Sequence, residues 1–240
     1  MSNGYSRSPL LLKGALVEFS ERFIGPIPNI IIFQYNPKSL SRTLSVYNPF
    51  QAGDETPGAP PKIQVDAQPG DPPESFDLTL ELDATDELEK GDPVTVVTGV
   101  ADRIAAMEML LYPQEGSLLG ELLGSISSAL GGGGGGEAEA VPRGSVPVVL
   151  FVWGPGRIVP VRLTSFKVEE QAFSPILYPV HATVTIGLQI LTDKDLANLE
   201  DSLGKDIAIA AFKFTRKQKQ VLAAANLANA VESILGMFPF

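Results

Sequence analysis

The chain has no cysteine and a single histidine, His181, among its 240 residues. Disulfides, thiolate metal sites, iron–sulfur clusters and cysteine nucleophiles are therefore excluded within it. A Ser-His-Asp triad would have to use His181, and one imidazole cannot build a multi-histidine metal site. Basic residues are scarce as well: 18 Lys and Arg stand against 28 Asp and Glu, a formal net charge of −10. Gripping a phosphate backbone takes concentrated Lys and Arg. The one local basic run, "KFTRKQK" at residues 213–219, reads as the solvated face of a C-terminal helix. No apolar run approaches the roughly 18 residues that cross a bilayer. The opening MSNGYSRSPLLLKGALVEF, its short apolar run interrupted by Lys13, is unlike a signal peptide. The chain is thus expected to be made in the cytoplasm without export, with no nucleic-acid partner, no membrane insertion, no cofactor and no metal.

What is present is a 44% hydrophobic chain, long enough to bury a sizeable core. The first third reads as β: "LLLKGALVEF" (10–19), the nearly continuous "IIIFQY" (30–35), and "LSRTLSVYN" (40–48). The Asn36-Pro37 step ends the second of these abruptly. Proline cannot donate to a ladder and pushes Asn36 toward extended backbone, while the Asn36 amide is suited to satisfying the amides of a turn. The uniform apolarity of 30–35 predicts a central strand covered on both faces. Residues 49–73 are dense in Pro and Gly and read as a long loop.

"SFDLTLELDATD" (75–86) alternates, placing Phe76, Leu78, Leu80 and Leu82 inward. A helix is then predicted, capped by Asp92, with Pro93 in its first turn and Pro113 at its end. Its core stripe is Val97, Val100, Ile104, Met107 and Leu111. Residues 114–145 centre on six consecutive glycines and read as a flexible insertion. A phosphate cradle does not fit there, because no Lys-Ser/Thr follows the glycines and no strand precedes them. Three strands follow. "VPVVLFVWG" (146–154) is apolar enough to be covered on both faces, "GRIVPVRLTSFKVEEQAF" (156–173) is mixed, and "PVHATVTIGLQIL" (179–191) alternates with His181 on its polar side. The remainder reads as two helical stretches. Thr192, Asp193 and Asp195 supply capping chemistry, and Val221, Ala225, Ala228, Val231 and Leu235 form a stripe ahead of the apolar close "MFPF".

Two stretches carry a resemblance. "FQYNPKSLSR", through Phe33, Tyr35, Asn36, Pro37 and Leu40, is similar to a segment near the start of inner-tube and baseplate proteins of contractile injection systems, the phage-tail-like particles. "FVWGPGRIVPVRLTSFKVEEQAFSPILYPVHATVTIGLQI" resembles that family's closing meander, through Trp153, Gly154, Ser165, Phe173, Pro179, Ala182, Val184 and Leu188. The resemblance implies an α+β, mainly β fold: a tail-tube-like split β-barrel with one packed helix over residues 1–192, plus a helical C-terminal extension over 193–240. It implies a non-enzymatic structural role as a hexameric ring at the baseplate end of the inner tube. Its partners would be copies of itself, the tube protein, the spike hub and other baseplate proteins, with assembly in the cytoplasm. No LysM-like string follows Leu191, so the chain resembles a tube-initiator or spike-adaptor type without that module. Candidate interface and structural residues are Phe33, Tyr35, Asn36, Pro37, Trp153, Gly154, Phe173, Pro179, Phe238 and Phe240.

Two other readings stand beside it. One is a soluble adaptor that uses the C-terminal helices to bind. The other is a carboxylate-based cell-wall hydrolase working through Asp86 with Glu87, Glu169 with Glu170, or Asp193 with Asp195. Adjacent residues on a regular strand point to opposite faces, which disfavours Glu169 with Glu170 as a pair lining one cleft.

Overall fold

A computed structural model describes residues 12–19, 29–48, 66, 68–113, 146–199 and 202–235, with side chains described as far as 227. The 114–145 insertion, most of the 49–73 loop, and Phe238 and Phe240 lie outside the described residues. The described strands are β1 (Ala15–Phe19), β2 (Asn29–Ile32), β3 (Leu40–Leu44), β4 (Glu74–Asp83), β5 (Val148–Val152), β6 (Ile158–Phe173) and β7 (Pro179–Ile190). The helices are α1 (Thr85–Glu89), α2 (Pro93–Thr98), α3 (Ala101–Glu108), α4 (Asp193–Ala197) and α5 (Leu203–Leu235). The fold is mixed α and β, dominated by one seven-stranded antiparallel sheet in the order β2-β1-β5-β6-β7-β4-β3.

The alternation in β4 does what its pattern demands. Phe76, Leu78, Leu80 and Leu82 are buried, as are Ala182, Val184, Ile186 and Leu188 of β7, and Val149 and Phe151 of β5 join the same core. Each fully buried side chain of this size contributes about 1.5–3 kcal/mol. The other face of β5 presents Leu150 to Leu196 of α4 and to Ala208 and Ala211 of α5. The apolar run at 146–154 is therefore covered on both sides, as its composition requires.

The topology forces the sheet to roll. β2 and β3 lie at opposite borders, yet only residues 33–39 link them. Six inter-strand spacings in a flat sheet come to about 29 Å, which the eight Cα–Cα steps from Ile32 to Leu40 reach only when fully extended, about 29 Å, and this link is bent at residues 34, 35 and 38. Side-chain amides hold the roll in place. Gln34, just past β2, donates from Nε2 to the Asp83 carbonyl at the end of β4 (2.6 Å), and the Asp83 N–H donates to Gln34 Oε1 (2.9 Å). No backbone ladder joins β2 to β4, so the sheet is not closed into a barrel. α3 packs beside this gap, burying Ile104 and Met107, while its Arg103 donates to Gln34 Oε1 (2.9 Å).

Three expectations need correction. β2 is a border strand, not a central one: Ile30 and Ile32 are 56% and 62% exposed, and only Ile31 and Phe33 turn toward the core. The single helix expected over 92–113 is broken at Gly99, whose φ is +58°. Asp92 does cap its first part, accepting from the Thr95 N–H (2.9 Å), but Val97 and Leu111 of the expected stripe are exposed, and Leu110 is buried instead. Gly99 is required because the Val100 N–H donates to the Pro179 carbonyl (2.8 Å), leaving no room for a Cβ at residue 99. Finally, the two C-terminal helical stretches are one 33-residue helix plus the short capped α4, whose Thr192 and Asp195 form a capping box. At 1.5 Å per residue α5 is about 50 Å long.

Candidate assembly surface

The corner at residues 33–37 is built from the sequence outward. Phe33 is buried against Phe151, with ring centroids 6.4 Å apart, and its N–H donates to the Gly14 carbonyl, prolonging the β1–β2 ladder by one bond. Asn36 then turns its amide back on the chain before β1. Its Oδ1 accepts from the Gly14 N–H and its Nδ2 donates to the Leu12 carbonyl, both at 2.8 Å. The side chain thus stands in for one more pair of strand bonds, serving the segment leading into β1 and not the amides of its own turn. Gly14 is squeezed between rings, since a Cβ there would lie 2.8 Å from both Phe33 and Trp153. Trp153 stacks on Phe151 at 5.8 Å, and Gly154 takes a positive φ of +71° in the turn that follows.

The sequence-derived candidates therefore divide. Phe33 and Pro179 are buried in the fold, Asn36 clamps the approach to β1, Trp153 and Gly154 shape the β5–β6 turn, and Pro37 is half-buried. Tyr35 and Phe173 are exposed. The structure brings Phe33, Asn36 and Trp153 together around Gly14 and places Phe173 and Pro179 apart from them at the β6–β7 turn.

It also leaves free strand borders. Among the described residues no strand pairs with the outer sides of β2 and β3. A third border is less obvious: β5 pairs only with residues 158–161 of β6, although β6 continues to Phe173. The cause is a β-bulge between Leu163 and Ser165, which bends β6 away where the β5 ladder ends. Gly187 makes the bulge possible, because a Cβ there would lie 2.4 Å from Ser165 Oγ. The outer half of β6 and the turn after it expose Phe173, Ile176, Leu177 and Tyr178, and Ala172 and Leu177 adopt positive φ values of 50° and 66°.

At the other end of β4 lies a charged knot that anchors α5. Glu74 is buried and accepts from Arg42 of β3 and from Lys219 Nζ of α5 (2.6 Å), while Arg216 pairs with Asp71 at 3.0 Å. Burial raises the Glu74 pKa, but the hydrogen bonds and charges of Lys219 and Arg42 outweigh it and hold the carboxyl below its ordinary value. Thr215 locks the preceding turn, its hydroxyl donating to the Ile158 carbonyl and accepting from the Ile158 N–H. Beyond Lys219 the helix leaves the sheet, and Val221, Leu222 and Leu227 are exposed.

The carboxylates considered for hydrolysis are engaged differently. Glu87 pairs with Arg103 at 3.2 Å, Asp195 closes the α4 cap, and Glu169 accepts from Lys167 Nζ at 2.5 Å, a bond that holds Glu169 below the ordinary carboxylate range. A general acid needs the opposite shift. No helix among the described residues is long and apolar enough to cross a membrane. No family model matches the chain, and no curated protein matches it.

Proposed function

We propose that this protein is a structural subunit of a contractile injection system, assembling as a six-membered ring at the baseplate end of the inner tube and joining the spike hub to the tube. The observation that carries this reading is that, among the described residues, the borders of β2, β3 and the outer half of β6 pair with no further strand, with Ile30 and Ile32 exposed on the first of them. Unpaired, apolar borders invite aggregation unless a neighbour covers them. A ring built from head-to-tail contacts covers each border with the next copy. The rolled sheet with α3 beside its gap is what a tail-tube-like split β-barrel with a packed helix would require.

The test exploits the absence of cysteine. Ile32→Cys with Lys167→Cys in the full chain, oxidised at rising concentration, is expected to give disulfide-linked ladders ending at a closed hexamer by mass photometry. A monomer at every concentration, together with no co-purifying tube or spike protein, would overturn the reading.

One observation favours a second reading, that of an adaptor: the exposed Val221, Leu222 and Leu227 on the outlying half of α5. Removing residues 221–240, which spares the half packed on Leu150, separates the two. Loss of one partner with ring formation intact supports the adaptor.

A further inference from the structure

One mouth of the rolled sheet gathers cations. Arg157, just ahead of β6, continues the inward row of Val159 and Val161, and its guanidinium lies 5.4 Å above the buried Phe76 ring. Arg42 of β3 stands opposite Phe76 in the β3–β4 ladder. α5 crosses above, hooked to Ile158 by Thr215, and brings Arg216 and Lys219. Among these groups lies a cavity of about 240 Å³ with an apolar wall of Val159, Ile190 and Phe212. Arg42, Arg216 and Lys219 line its charged side together with Asp71 and Glu74. Arg157 is close enough to Arg42 and Glu74 for their charges to act on it.

The cations outnumber what neutralises them. Glu74 is shared by Arg42 and Lys219, Asp71 takes Arg216, and Arg157 has no ion pair among the described residues. Four bases therefore meet two carboxylates. The exposed surroundings do not add to this surplus: Lys194, Lys213 and Lys217 stand against Asp66, Asp193, Asp195 and Asp206. The positive excess belongs to the cavity and not to a general field. Donors are left over as well. Arg42 spends its Nε on Glu74, Arg216 its Nη1 on Asp71 and Lys219 its ammonium on Glu74. The Nη groups of Arg42 and the whole Arg157 guanidinium donate to no described residue. Burial and the neighbouring Arg42 charge together hold the Arg157 pKa below its ordinary value, so this cation is desolvated without a matching anion.

We propose that this mouth binds a phosphate monoester, with the phosphate between the Arg42 and Arg157 forks and Lys219, and the ester's apolar body against Val159, Ile190 and Phe212. A guanidinium fork matches phosphate oxygens two at a time. A phosphate monoester carries a charge of about −1.5 to −2 at neutral pH, which answers the surplus of two. Asp71 and Glu74 do not repel it, since each is already covered by a base of its own. The Phe76 ring holds the Arg157 plane in place from below, so the fork is ordered before the ligand arrives. Apolar cavities with a few convergent polar groups, at the mouth of a rolled sheet, are where small ligands bind. The site lies within one subunit and stands whether or not the ring forms.

The test titrates the full chain with phenyl phosphate and with inorganic phosphate, by calorimetry in chloride at constant ionic strength. Saturable binding of both is expected, tighter for the ester. Arg157→Gln is expected to weaken it on the order of tenfold or more. Arg157→Lys, which keeps the charge and loses the fork, is expected to recover only part. A second measurement needs no variant: in the native chain the Nε resonances of Arg42 and Arg157 are expected to shift during the titration. That of Arg103, held by Glu87 beside α3, is expected to stay. The site is refuted if neither phosphate saturates, if added chloride displaces them at equal concentration, or if Arg103 shifts as far as Arg157. It is refuted equally if Arg157→Gln binds within about twofold of the native chain. Equal affinity for the two phosphates overturns the ester, because the apolar wall would then contribute nothing.

Discussion

Replacing Gly99 with alanine tests the packing logic most directly. Gly99 has φ +58°, and a Cβ built on it would lie 2.1 Å from the Pro179 carbonyl oxygen, the same atom that accepts from the Val100 N–H. Forcing an L-residue into left-handed backbone costs about 1–2 kcal/mol. Overpacking against a fixed neighbour costs roughly 1–3 kcal/mol. Losing or stretching the hydrogen bond adds about 0.5–1.5 kcal/mol. The expected loss is about 3–6 kcal/mol, a large part of the roughly 5–15 kcal/mol that holds a domain together. For a chain of this size that lowers Tm on the order of 10 °C or more. Gly91→Ala is the control, since Gly91 has φ +69° but nothing within 4 Å of its Cβ position, leaving only the backbone cost of about 1–2 kcal/mol. Urea unfolding followed by the fluorescence of Trp153, the single tryptophan, measures both variants. A Gly99→Ala loss within about 0.5 kcal/mol of the Gly91→Ala loss would show that the close approach to Pro179 does not constrain the fold.

Three further outcomes are expected. Asn36→Ala, which removes bonds to the Gly14 N–H and the Leu12 carbonyl, is expected to destabilise by about 1–3 kcal/mol in urea titration. Asn36→Asp keeps the first partner but sets an oxygen against the Leu12 carbonyl, so it is expected to rescue little. Gln34→Ala removes both bonds across the gap and the acceptor for Arg103. It is expected to raise hydrogen exchange at the Asp83 amide before that of the β4 interior. The Glu74 carboxyl has a folded pKa below its ordinary 4.5. The stability it contributes is therefore fully present above that ordinary value and is lost as pH falls through the lower folded value. Exchange at residues 215–219 is expected to quicken in that acid window in the native chain. In Glu74→Gln it is expected to be fast already at neutral pH.

Periodicity carries the interior of the sheet well. β4, β5 and β7 have inward residues that could be named from alternation or from unbroken apolarity, because burial on one or both faces leaves a direct trace in the residue order. The borders are another matter. The run of isoleucines at 30–32 looks like a buried strand because apolarity records only that a surface wants cover, and in β2 two of those side chains stay more than half exposed. The bulge at Leu163–Ser165 and its partner Gly187 left a faint signal, a glycine on a strand otherwise rich in branched residues. Gly14 and Gly99 could not be read, since what each avoids is an atom far away in sequence. Asn36 was legible as a turn residue but not as a clamp on Gly14, twenty-two positions earlier.

The strand order has a consequence for biosynthesis. β1 with β2, and β3 with β4, can form as local hairpins early, but the sheet's centre consists of β5, β6 and β7, made roughly a hundred residues later. At translation rates of about 5–20 residues per second, the interval is on the order of 5–20 s. Through that delay Phe76, Leu78, Leu80 and Leu82 sit on a two-stranded ribbon with only the segment of α1 to α3 made in time to cover them.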